Sequence, residues 1–176
     1  MNRRSVFTNT AQDRAFDTVA GLRRTGVPIR FVTNTTRRSR TAVAGRMRAM
    51  GFDVADEELL TPAVAARLWL EREGIRRARL YLPEAAREDL ADFAADGPDP
   101  DAIVVGDLGP EWTFERMNAA FRDLLAGARL IALQRNRYWR SGGRLRVDYL
   151  VSPYHWGYVD PWFDPESPHR VVQPGV

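Results

Sequence analysis

Apolar residues recur along the chain in two rhythms, one helical and one extended. Across residues 11–25, Ala15, Phe16, Val19 and Leu22 fall at helical spacing, and Gly26 follows where a helix would end. Pro28 then opens the run 28–33, whose Ile29, Phe31 and Val32 are β-branched or aromatic and predict a strand covered on both faces. Ser39 is the expected N-cap of a helix in which Val43, Met47 and Met50 repeat before Gly51. After the short apolar step Glu58-Leu59-Leu60, Thr61-Pro62 open a further helix with an apolar stripe of Val64, Leu68 and Leu70, ending at Gly74.

The second stretch repeats the alternation. A strand is expected over 79–82, a helix over 84–95, a loop over 96–100 and a strand over 102–106. Thr113 caps a helix carrying Phe114, Met117, Phe121, Leu124 and Leu125; Gly127 ends it, and a strand over 130–133 follows. Strands alternating with helices predict a parallel α/β architecture. Beyond residue 148 no steady period remains: Pro153, Pro161, Pro165, Pro168 and Pro174 crowd a tail that also holds Trp156 and Trp162.

Composition narrows the chemistry. The chain has 176 residues, 44% of them hydrophobic, enough to bury a core. With no cysteine, a disulfide framework, a thiolate zinc site and a cysteine nucleophile are excluded. No apolar run approaches membrane-spanning length, and Met1-Asn2-Arg3-Arg4 lacks a signal-peptide stretch, so a cytoplasmic, non-membrane protein is expected. The formal charge is +3, and all 26 Lys+Arg positions are arginine. Absence of lysine removes any Schiff-base or lysine-clamp mechanism from these residues. The arginines accompany abundant Ala, Gly, Pro and Asp, as a GC-rich genome would encode, so nucleic-acid binding is a minor alternative.

The richest segment is 29–39. Its apolar run ends in Thr33 and Asn34, which emerge at the carboxyl end of the expected strand, followed by hydroxyls and arginines. Ligands of open α/β sheets bind beyond strand carboxyl ends, and the N–H groups of the next helix favour anions, so a phosphate-like ligand is expected. His155 and His169 lie near Asp160 and Asp164, but neither HxH nor HExxH spacing occurs, and no metal site is assigned.

The run Arg30-Phe31-Val32-Thr33-Asn34-Thr35-Thr36-Arg37-Arg38-Ser39 resembles the second motif of the haloacid dehalogenase-like (HAD) hydrolases, subfamily IIA. The stretch Ala102-Ile103-Val104-Val105-Gly106, the segment 121–133 and Asn136-Arg137-Tyr138-Trp139 are similar to the cap of the same subfamily. The resemblance implies a partial Rossmann-like core (helix, strand, helix) at 1–58, an inserted C2-type α/β cap at 59–148 and an irregular tail at 149–176. It further implies Mg2+-dependent phosphoryl transfer through an aspartyl-phosphate, acting on a small phosphorylated molecule. In that frame Thr33 is the phosphoryl-binding hydroxyl with Asn34 beside it, and Asn136, Arg137 and Tyr138 form a substrate loop of the cap.

Other family motifs are not found. No DxDGT-like sequence precedes Thr33, since Asp13 and Asp17 sit four apart in the first helix, and the family lysine has no counterpart. No catalytic nucleophile or metal ligand is therefore assigned, and the chain is expected to be catalytically incomplete and not to hold Mg2+ itself. The segments 1–10 and 149–176 are expected to lie outside family sequence, as in a truncated or frameshifted gene. Arg37, Arg38 and Arg40 are read as polar decoration of a helix start. Two alternatives remain: a non-catalytic module that dimerises through the cap, and an arginine-rich nucleic-acid binder.

Overall fold

A computed structural model describes residues 10–134, 138–141 and 144–147. The chain is mixed α/β with parallel sheets. Helix α1 (Thr10–Arg24) leads to β1 (Phe31–Val32) and α2 (Arg40–Ala49). Strand β2 (Leu59–Leu60) pairs parallel with β1 in the register Phe31↔Leu59 and Val32↔Leu60. The expected N-caps form: Ser39, Thr61 and Thr113 each accept the N–H three residues on, from Ala42, Val64 and Arg116, at 3.2 Å.

The strand expected over 28–33 is shorter and barer than its composition predicted. Val32 is 75% exposed, because β2 is the one described strand beside β1 and no described layer covers its outward face. α1 is held less by apolar burial than by two local contacts. Phe16 packs on Phe52 with ring centroids 4.1 Å apart, and Arg23 binds both carboxylate oxygens of Glu58 at 2.7 and 2.6 Å.

The main core lies around a three-stranded parallel sheet ordered β3 (Ala78–Tyr81), β4 (Ala102–Val105), β5 (Arg129–Ala132). β4 is central and wholly buried, which is why Ala102-Ile103-Val104-Val105 is continuously apolar. One face meets α3 (Pro62–Arg72) through Ala63, Ala66 and Leu70, joined by Leu82, Leu90 and Phe93. The other face meets α4 (Phe114–Leu125) through Ala120, with Leu124 and Trp112 beside it. On α3 the buried line is thus 63, 66 and 70 rather than the expected Val64, Leu68 and Leu70. Leu68 is exposed, because the small alanines let α3 approach the sheet closely along a different stripe.

The helix expected over 84–95 is replaced by two 3-10 segments, Glu84–Ala86 and Glu88–Phe93. The carbonyl of Ala85, which an α-helix would give to the N–H of residue 89, accepts instead from the N–H of Ser39 at 2.8 Å. Asp89 in turn reaches away to the backbone N–H of Arg40 at 2.7 Å. Docking on the start of α2 thus competes with continued α-helix. Among the described residues β6 (Tyr138–Ser141) pairs antiparallel with β7 (Arg144–Val147). No described helix is long and apolar enough to cross a membrane.

Candidate functional site at the strand carboxyl ends

The segment that leaves β1 runs against the carboxyl ends of β4 and β5. Thr33 donates its N–H to the carbonyl of Leu60 at 3.1 Å, which anchors it at the end of the β1–β2 pair. Its hydroxyl oxygen accepts the N–H of Thr35 at 3.3 Å in a local turn. That bond uses a lone pair and leaves the hydroxyl proton available to a ligand oxygen. Thr33 is half-buried and Asn34 exposed, so both are open to solvent.

Thr36 is the buried member of the segment. Its hydroxyl donates to Oε1 of Gln134 at 3.1 Å, just past β5, and accepts the N–H of Asp107 at 3.4 Å, just past β4. Arg37 adds an ion pair from Nη1 to Oδ1 of Asp107 at 3.1 Å. Gly106 lies beside Thr36 but is required by Leu82 on the neighbouring strand end. A Cβ there would lie 2.5 Å from Cδ2 of Leu82 and 3.5 Å from Thr36 Cβ and Leu133 Cδ1. Segment 33–37 and the ends of β4 and β5 therefore form one polar seam.

The expected contribution of the α2 N-terminus is corrected by the structure. The carboxylate of Asp89 takes the Arg40 N–H and the Ser39 hydroxyl takes the Ala42 N–H, so the chain's own groups occupy these helix-start donors. Asp89 is almost fully buried, and burial pushes its carboxyl above the ordinary range, against the pull of the Arg40 N–H and charge. The arginines also divide. Arg37 is an inter-element ion pair rather than helix-start decoration, Arg38 is exposed, and Arg40 is half-buried.

Asp17 is exposed on α1. Among the described residues no group of three His, Asp or Glu side chains is placed to hold a metal ion. Magnesium favours oxygen ligands in octahedral array, usually including carboxylates. The carboxylate nearest Thr36 in the seam, Asp107, is engaged by Arg37, so the described residues do not fit that ion. Tyr138 begins β6, whereas Asn136, Arg137, His155, His169, Asp160 and Asp164 lie outside the described residues. Thr36, Asp107 and Gln134 went unassigned in the sequence, although a polar residue directly after an apolar strand marks both Asp107 and Gln134 as it marked Thr33.

Comparison with known proteins places the chain in a family. The model of the family described as haloacid dehalogenase-like hydrolase matches residues 6–95. The human protein "Haloacid dehalogenase-like hydrolase domain-containing protein 2" is 41% identical over 120 residues, covering 68% of this chain and 45% of its own length. Human phospholysine phosphohistidine inorganic pyrophosphate phosphatase is 31% identical over 147 residues, covering 82% and 53%. The structure of p-nitrophenyl phosphatase from Archaeoglobus fulgidus superposes with a TM-score of 0.71 at 25% identity, covering 82% of this chain and 57% of that one. The chain thus spans about half the length of the curated relatives it matches. On these grounds it belongs to the haloacid dehalogenase-like hydrolase family, subfamily IIA.

Proposed function

We propose that the chain carries the phosphoryl-binding segment of a HAD-type phosphatase whose ligand is a small phosphorylated molecule. The observation that carries this reading is the Thr33 hydroxyl, fixed at the end of β1 with its proton free to donate. A hydroxyl at a strand end can match one equatorial oxygen of a phosphoryl group, and Asn34 beside it can offer an amide donor. The layout is a partial core over 1–58 and a cap over 59–148, except that the pairing of β2 with β1 favours counting Leu59–Leu60 with the core, leaving the sheet β3–β5 to the cap. Asn136, Arg137 and Tyr138 would then read the rest of the substrate from the cap side.

The sequence contains neither lysine nor a DxDGT-like pair before Thr33, so no covalent phosphoryl transfer is proposed on these residues alone. Mg2+ belongs to the family chemistry, and among the described residues no carboxylate cluster would hold it. The nucleic-acid alternative loses ground because many arginines, among them Arg23, Arg48, Arg67, Arg79 and Arg129, already face carboxylates within the chain.

The test is hydrolysis of p-nitrophenyl phosphate by the purified 176-residue chain with Mg2+ present. No turnover above buffer is expected. Turnover that disappears in Thr33→Ala would overturn the catalytic part of the proposal while supporting the site.

A further inference from the structure

Segment 33–37 carries Thr33 and Asn34, yet it is tied to the rest of the chain at few points. Its backbone is anchored at one end by the Thr33 N–H on the carbonyl of Leu60, and just beyond the other by the Ser39 N–H on that of Ala85. Between these anchors, among the described residues, two side chains reach another element, and they differ in strength. The Arg37 side chain that pairs with Asp107 is 52% exposed, so solvent screens the attraction. The Thr36 hydroxyl is buried, donates to Gln134 at 3.1 Å and accepts from the Asp107 N–H at 3.4 Å, and is therefore the firmer tie.

Thr36 acts on Thr33 through the one residue that links them to a turn. The N–H of Thr35 donates to the Thr33 hydroxyl oxygen at 3.3 Å and so leaves the hydroxyl proton for an outside acceptor. Thr35 is joined directly to Thr36, whose β-branched side chain is stiff about χ1, so pinning its hydroxyl places its backbone as well. Held between the ends of β4 and β5, Thr36 therefore fixes the Thr35 N–H and, with it, the Thr33 hydroxyl at the end of β1.

We propose that Thr36 is a positioning residue for the phosphoryl ligand. Buried in the seam, it does not touch the ligand itself but holds the 33–35 turn in the form in which Thr33 can donate. The proposal rests on the reading of Thr33 as the phosphoryl-binding hydroxyl, and adds that the affinity of this hydroxyl is set from the ends of β4 and β5. Without the Thr36 hydroxyl the ligand itself must order the turn, and that ordering opposes binding.

Calorimetric titration of the full 176-residue chain with inorganic phosphate tests this. Thr36→Val keeps the shape of the side chain, removes its hydrogen bonds and should weaken phosphate binding roughly three- to tenfold. Thr36→Ser keeps the hydroxyl and should recover most of that affinity. Gln134→Ala removes the acceptor from the other side and should reproduce part of the loss, which keeps the test open if Thr36→Val does not fold. Urea midpoints of the same proteins separate positioning from stability, because a purely structural residue would lower the midpoint and leave the affinity of the folded chain unchanged. Such a result, or Thr36→Ser as weak as Thr36→Val, would overturn the proposal. Binding that is lost in Thr33→Ala but untouched in Thr36→Val and Gln134→Ala would strike this inference alone; no binding by the wild-type chain would strike the reading of Thr33 with it.

Discussion

The carboxylate of Asp89 sits where an external anion was expected, at the first turn of α2, and this single contact redistributes the local chemistry. An internal anion caps the helix permanently, at the cost of burying a charge. Asp89→Asn keeps an acceptor for the Arg40 N–H without that charge, so its urea midpoint should stay close to wild type. Asp89→Leu leaves the N–H without a partner and should cost about 1–2 kcal/mol, read from the same unfolding curves. The position of Thr33 and Asn34 just past a strand was legible because a hydroxyl and an amide directly follow an apolar run. Asp89 was not legible: it lies 49 residues away in a segment whose helical spacing hid a long-range bond.

The elements were legible in proportion to how local their causes are. The caps at Ser39, Thr61 and Thr113 depend on a side chain and a backbone three residues apart, and all formed as expected. The 84–95 segment failed as a helix because the Ala85 carbonyl and the Asp89 carboxylate serve the start of α2 instead, a tertiary override of a helical pattern. β1 failed as a doubly covered strand because strand composition does not reveal which layers surround it. The packing of Leu82 against the end of β4 depends on the bare Cα of Gly106, which Thr36 also touches. Gly106→Ala should force the fully buried Leu82 aside, lower stability by about 1–3 kcal/mol in thermal melts, and loosen the Thr36–Gln134 bond. A melt indistinguishable from wild type would show that the seam yields more easily than its distances indicate.

At the scale of the molecule, the sheet β3–β5 and its two cores hold most of the buried apolar residues, whereas α1, β1 and β2 depend more on polar links such as Arg23–Glu58. That link brings acid sensitivity. Hydrogen bonds from Arg23 and from the N–H of Ala55 hold the Glu58 carboxyl down at about 2, so its stabilisation is complete above the ordinary carboxylate range and is lost as pH falls from there toward 2. Asp89 has the opposite sign: its raised carboxyl makes the fold less stable as pH rises from the ordinary range to the folded value. Glu58→Gln should therefore lower the urea midpoint at neutral pH, with the gap to wild type closing near pH 2. The parallel α/β class and the family were legible because alternation and motif spacing run along the chain; the meeting of 33–37 with Asp107 and Gln134 was not, because it depends on how the elements pack. The central claim is that Thr33 belongs to a phosphate site, and calorimetric titration of the 176-residue chain with inorganic phosphate tests it most directly. A hydrogen bond to a charged oxygen is typically worth about 1.5–3 kcal/mol, so binding should be measurable in wild type and weaker by about tenfold or more in Thr33→Ala. Equal affinity in the two proteins, or no phosphate binding by the wild-type chain, would contradict the account.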